Sequence, residues 1–196
     1  MNALVFKYRG LLWGIFAVAV FAFPVSFSPI RMLLAIPLLA AGQLLRFWAA
    51  GVIPKYRTLT LAAPKLVTWG PYELVRNPLY LGNALMGCGW SLMVGWLWLP
   101  AFAVVYWIIY SLVIIPYEEQ FLFAHFGDEY LDYQSKTPPL VPNVARFSSL
   151  ADFRGFLAKA YRSLDREKSW FMERHSLRMN LLVTLLILFR LFLTDY

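Results

Sequence analysis

From Asn77 to Tyr117 the chain runs 41 residues without an Asp, Glu, Lys or Arg. No soluble core of a chain this size can enclose such a stretch, and about 20 helical residues at 1.5 Å each suffice to cross a hydrocarbon layer of about 30 Å. The stretch therefore reads as two membrane helices joined by a tight turn near Gly95 and Pro100. Both ends of such a hairpin lie at the same membrane face. Arg76 and the pair Glu118-Glu119, which bracket it, are expected side by side although some 42 positions separate them. With 60% hydrophobic and only 15% charged residues, the rest of the chain has the same character.

Further spans follow from the same reasoning. Gly10–Ile30 is uncharged between Arg9 and Arg31, and Pro24-Val25-Ser26-Phe27 lacks a small-x-small cleavage pattern, so it reads as an uncleaved anchor. A second span runs from about Met32 to Ile53, tolerating Pro37 and Gly42. Arg46 interrupts it and is expected to snorkel to the near edge or to face a polar cavity. Met179–Thr194, broken only by Arg190, is short but reads as a fifth span. Before it, Leu150, Phe153, Leu157, Tyr161 and Leu164 recur at helical spacing among Arg154, Lys159, Arg162 and Arg166, the pattern of a helix lying in the interface plane, where it would hold anionic lipid.

The expected fold is thus an all-α polytopic bundle of about five transmembrane helices. Residues 1–53 hold two of them, 54–142 a core of loop, hairpin and cytosolic covering segment, 143–178 an interfacial amphipathic helix, and 179–196 the last span. Of 18 Lys and Arg, 15 fall before the first span, in 54–76 or in 136–178. The positive-inside rule puts these segments and the amino terminus in the cytoplasm, and the carboxyl terminus outside if five helices span. The net charge of +7 flanks apolar runs rather than forming a soluble patch, which argues against nucleic acid. A single cysteine, Cys88, and two histidines, His125 and His175, argue against a metal centre.

The residues brought to the common face have a chemistry of their own. One arm carries Gly70-Pro71-Tyr72, Arg76-Asn77-Pro78 and Tyr80-Leu81-Gly82, with Gly87 and Gly89 further along; the other carries Glu118-Glu119, followed by Phe126-Gly127, Tyr130 and Tyr133. Paired carboxylates at a helix end stay ionised only beside donors or cations, and Arg76 is the available cation. The glycines clear helix surface for a backbone or a ligand.

Over about Gly70 to Pro142 this order resembles the integral membrane methyltransferases that include isoprenylcysteine carboxyl methyltransferase and the phospholipid N-methyltransferases. The resemblance implies S-adenosylmethionine as cofactor, held at the cytosolic ends of the hairpin by Tyr72, Arg76, Asn77, Pro78, Tyr80, Leu81, Gly82, Gly87, Gly89, Glu118, Glu119, Tyr130 and Tyr133. Arg76 and Glu119 are the implied catalytic pair. A guanidinium suits the cofactor's carboxylate, carboxylates suit its ammonium and ribose hydroxyls, and tyrosine faces suit its sulfonium. The implied acceptor is lipophilic or amphiphilic, an isoprenylcysteine-type carboxylate or a phospholipid amine, entering from the bilayer. Asn77 stands where the family usually has histidine, which preserves hydrogen bonding and removes a titrating group. Two other readings stand beside this one: an NADPH-dependent reductase of the sterol-reductase type, and a non-catalytic lipid-binding relative.

Overall fold

The computed structural model describes residues 25–53, 64–162 and 164–194, which form helices and turns with no strand among them. Most of the expected first span lies outside the described residues, as do Lys55 and Arg57. Six helices organise the remainder: α1 (Pro29–Val52), α2 (Pro78–Val94), α3 (Trp98–Phe126), α4 (Asp128–Lys136), α5 (Leu150–Arg162) and α6 (Arg166–Thr194). Among the described residues α1, α3 and α6 are long and apolar enough to cross a membrane.

The hairpin forms where the uncharged stretch predicts it. Gly95 donates its N–H to the Ser91 carbonyl, Trp98 donates to the Gly95 carbonyl, and the chain reverses within residues 95–97. Its arms are unequal. α2 has 17 residues, about 26 Å, a little short of the hydrocarbon thickness. Pro78 opens it, where a missing N–H costs nothing, and Gly95 follows its end. The five expected spans are therefore three full-length helices and one short arm among the described residues. α3 passes through a π-helical stretch, Trp107–Ile114, in which the Ile115 N–H reaches back to the Tyr110 carbonyl. The cause stands just after it: Pro116 has no N–H and its ring crowds the carbonyl of Leu112, so the helix widens before it.

The region expected as one interfacial helix over 143–178 followed by a separate span is differently divided. α5 ends at Arg162, and α6 then runs 29 residues through the expected boundary at 178. Asp165 sets the new start: its carboxylate accepts from the Lys168 N–H at 3.0 Å and its carbonyl from the Ser169 N–H at 2.9 Å. Ser149 starts α5 in the same way, accepting from the Asp152 N–H.

The described chain divides into two compact units. The first takes residues up to Gly42, Ala84–Tyr117 and the chain from Ser176; the second takes Gln43–Asn83 and Glu118–His175. In the first unit, Ala35, Leu39, Met86, Leu92, Ile187 and Leu191 form the core. Gly87 and Gly89 allow its helices to approach. A Cβ on Gly87 would lie 1.9 Å from the Phe102 ring, and one on Gly89 would lie 2.8 Å from Leu39 and 3.1 Å from the Ala35 carbonyl.

In the second unit Arg46 is buried in an ion pair. Its Nε and one terminal nitrogen donate to the two Glu173 oxygens at 2.8 and 2.9 Å, and its other nitrogen donates to Asn83 at 2.6 Å. Both charges are buried, with 9% and 3% of their side chains exposed. Removing one partner would strand the other, so Glu173→Ala is expected to cost about 3–5 kcal/mol. The loss should appear as a lower temperature of aggregation in detergent. The double variant Arg46→Met/Glu173→Met should recover most of it.

Candidate functional site

The site is built within the second unit, starting from the 3-10 turn Gly70–Glu73. Gly70 has φ +66°, a backbone region a side chain disfavours, and Pro71 behind it is buried. The turn leaves the Tyr72 carbonyl pointing at α4, where it accepts from the Tyr133 hydroxyl at 2.7 Å. The chain after α4 then runs back along the chain after the turn. The Arg76 N–H donates to the Pro138 carbonyl at 2.8 Å, the Asn77 N–H to the Pro139 carbonyl at 3.2 Å, and the Asn143 N–H to the Leu74 carbonyl at 3.0 Å. Asn77 adds its side-chain amide to the Pro139 carbonyl at 3.1 Å. The segment following α4 is thereby strapped to the entrance of α2.

Arg76 ties this strap to α3. Its Nε and one terminal nitrogen lie 2.9 and 2.8 Å from the same Glu119 oxygen, and its other terminal nitrogen donates to the carbonyls of Gln134, at 3.0 Å, and Thr137. The second Glu119 oxygen accepts from the Gln134 amide at 3.1 Å. Glu118 accepts from the Tyr80 hydroxyl. Leu66, Tyr130 and Tyr133 form the apolar backing, with Leu122 and Phe126 against them. The Tyr130 hydroxyl, fully buried beside Arg76 and Glu119, makes no hydrogen bond of ordinary geometry.

A cavity of about 490 Å³ adjoins this network, sharing Tyr133 and Thr137 with it. Its walls alternate in charge. Arg146 donates to the Glu73 carboxylate at 2.6 Å and to the Glu73 carbonyl at 2.7 Å, Lys136 pairs with Asp132 at 2.6 Å, and Glu129 and Asn143 complete the lining with Thr68. Such a wall accommodates a ligand that carries both signs of charge.

The structure brings together Tyr72, Arg76, Asn77, Pro78, Tyr80, Leu81, Gly82, Glu118, Glu119, Tyr130 and Tyr133 in the second unit, and puts Gly87 and Gly89 in the first. Sequence reasoning missed Glu73, Gln134, Thr137 and Arg146. Arg146 is the one that charge counting could have flagged. Thr137 contributes only a backbone carbonyl to Arg76, and Gln134 adds its side-chain amide on Glu119 to a carbonyl of its own; a carbonyl has no signature in a sequence.

Burial holds the hydroxyls of Tyr130 and Tyr133 above their ordinary value of 10, with the Glu119 carboxylate adding to the effect at Tyr130 and Tyr72 at Tyr133. Both phenols are protonated at neutral pH. Their contribution to stability is present in full below about pH 10 and declines above it, because the unfolded chain then releases protons that the folded chain retains. Tyr133→Phe should make that alkaline decline shallower in thermal melts, and should cost about 1 kcal/mol at neutral pH through the lost bond to Tyr72.

Residues 30–129, from the second residue of α1 to the start of α4, match the phospholipid methyltransferase family. Protein-S-isoprenylcysteine O-methyltransferase B of Arabidopsis thaliana is 40% identical over 81 residues, 41% of this chain and 41% of that protein. Protein-S-isoprenylcysteine O-methyltransferase of Schizosaccharomyces pombe is 37% identical over 81 residues, 39% of this chain and 34% of that protein. The cobalt-zinc-cadmium resistance protein CzcN of Cupriavidus metallidurans is 26% identical over 145 residues, 74% of this chain and 64% of that protein. The chain thus spans about two fifths of the length of the Arabidopsis relative. No solved structure matches it.

Proposed function

The chain belongs to the phospholipid methyltransferase family, and from that membership we propose that it is a membrane-embedded methyltransferase acting on a lipophilic carboxylate with S-adenosylmethionine as donor. The observation that carries the reading is that the family match takes in Arg76, Glu118 and Glu119, the charged residues that converge in the second unit. The same membership favours methyl transfer over the hydride transfer of a reductase.

The residues present fit the donor. Glu73, Glu129 and Asp132 line the cavity and suit an ammonium and ribose hydroxyls; Arg146 and Lys136 line it and suit a carboxylate; Tyr133 offers an aromatic edge. When bound, S-adenosylmethionine supplies an electrophilic methyl group on a sulfonium. The chain's own part is positioning. Arg76, held by Glu119, fixes the strap that walls the cavity, and Tyr80 with Glu118 fixes the first turn of α2. Orientation of this kind supplies much of the rate of an in-line displacement.

A carboxylate acceptor asks less of the site than an amine does. An ammonium must lose a proton to become a nucleophile, whereas a carboxylate is one already. Asn77, which stands where the family usually has histidine, cannot take that proton. This agrees with the O-methyltransferase names of the Arabidopsis and Schizosaccharomyces relatives. The positive-inside rule favours the cytosolic face for the network, with the acceptor's apolar part in the bilayer.

Calorimetric titration of the purified protein with S-adenosylmethionine tests the donor. Arg76→Gln and Glu119→Gln are expected to weaken binding about tenfold or more, or about 1.4 kcal/mol, with unchanged elution and helix content. Absence of binding, or binding indifferent to both substitutions, overturns the reading. Incubation with labelled donor and either a farnesylated cysteine or phosphatidylethanolamine separates the acceptors. A carboxyl ester releases labelled methanol in base, and a methylamine does not.

A further inference from the structure

We propose that the exposed face of α5, together with the first turns of α6, docks on a layer of anionic phospholipid headgroups. α5 carries two apolar stripes. Phe156 and Ala160 are buried, and Phe156 packs 5.8 Å from Trp48 and 5.2 Å from Phe147. The neighbouring stripe, Leu150, Leu157 and Tyr161, recurs at i, i+7 and i+11 and is 64%, 43% and 63% exposed. Nothing in the described chain covers it.

The charges of α5 and of the first turns of α6 select the occupant. Among the described residues no carboxylate pairs with Arg154, Lys159, Arg162 or Arg174. Of the acids in the same stretch, Asp152 accepts from the Ser148 hydroxyl, Asp165 caps α6 and Glu173 is buried against Arg46, which leaves Glu167 exposed among these cations. Two guanidinium groups lie over aromatic rings, Arg166 at 4.7 Å from Tyr161 and Arg174 at 4.5 Å from Phe171. A cation held over a half-exposed ring matches a boundary that is apolar on one side and phosphate-rich on the other.

The length of α6 supplies the depth. The segment Arg166–Leu193 has 28 residues, about 42 Å, against a hydrocarbon core of about 30 Å. The surplus of about eight residues stands outside the hydrocarbon. It must be the charged end, because from Met179 onward only Arg190 is charged up to Leu193, and Leu181, Leu185, Phe189 and Phe192 are exposed apolar residues. Trp170 and Phe171 therefore lie at headgroup depth, and Tyr161, bonded to Arg166, lies with them. Lipid phosphate, rather than a free anion, is the source at that depth. The inference holds whatever reaction the protein catalyses.

Cys88 is the one cysteine, so a Cys88→Ser background lets a single label be placed by Leu157→Cys. The full chain carrying an environment-sensitive fluorophore there is reconstituted in nanodiscs of phosphatidylcholine, with or without phosphatidylglycerol. Brominated acyl chains are expected to quench the label, aqueous iodide is not, and phosphatidylglycerol should deepen the lipid quenching. The triple variant Arg154→Gln/Lys159→Gln/Arg162→Gln should lose the phosphatidylglycerol effect while eluting as the parent does. Quenching by iodide alone means that the face stands in water. Protection from both quenchers means that a protein or a second copy covers it. Either result, or a phosphatidylglycerol effect equal in the variant and the parent, overturns the proposal.

Discussion

The second unit turns on the five N–H groups of Arg76. A guanidinium with only 10% of its side chain exposed is costly unless its charge and its donors are matched, and here both are. Glu119 supplies the charge. The carbonyls of Gln134 and Thr137, at and just beyond the end of α4, supply acceptors; a helix end leaves such carbonyls without intrahelical partners. One side chain thus neutralises a carboxylate on α3, caps α4 and sits where α2 begins. Take it away and a half-buried anion and two unpaired carbonyls remain together. The strap over 138–143 would then rest on its backbone bonds to 74–77 and the Asn77 side-chain bond alone.

That convergence is legible in the sequence, because an uncharged run of 41 residues has few ways to fold and each brings its ends together. The capping residues are legible in type but not in consequence. Asp165 starts a helix, and what it changes is that α6 becomes one long rod instead of an interfacial helix and a separate span. Periodicity could not reveal this, since the residues before Arg178 follow an amphipathic pattern and those after it a lipid-facing one on the same helix. Arg46 and Glu173 stand 127 positions apart, and nothing local marks either as the other's partner. Gly87 and Gly89 illustrate a different limit. Close helix packing and access for a ligand call for the same small residue at the same spacing, and only Phe102 and Leu39 lying against them identify packing as their use.

Three carboxylates of the second unit are held by fixed donors. Glu119 is held by Arg76 and Gln134, Glu118 by the Tyr80 hydroxyl, and Glu173 by Arg46. Burial raises the hydroxyls of Tyr130 and Tyr133 above their ordinary value, so these two enter the site as hydrogen-bonding phenols. Side chains held this way are suited to binding and orienting a ligand. That is the demand of methyl transfer to an acceptor that arrives already ionised, and it connects a physical property of the fold to the chemistry proposed for it.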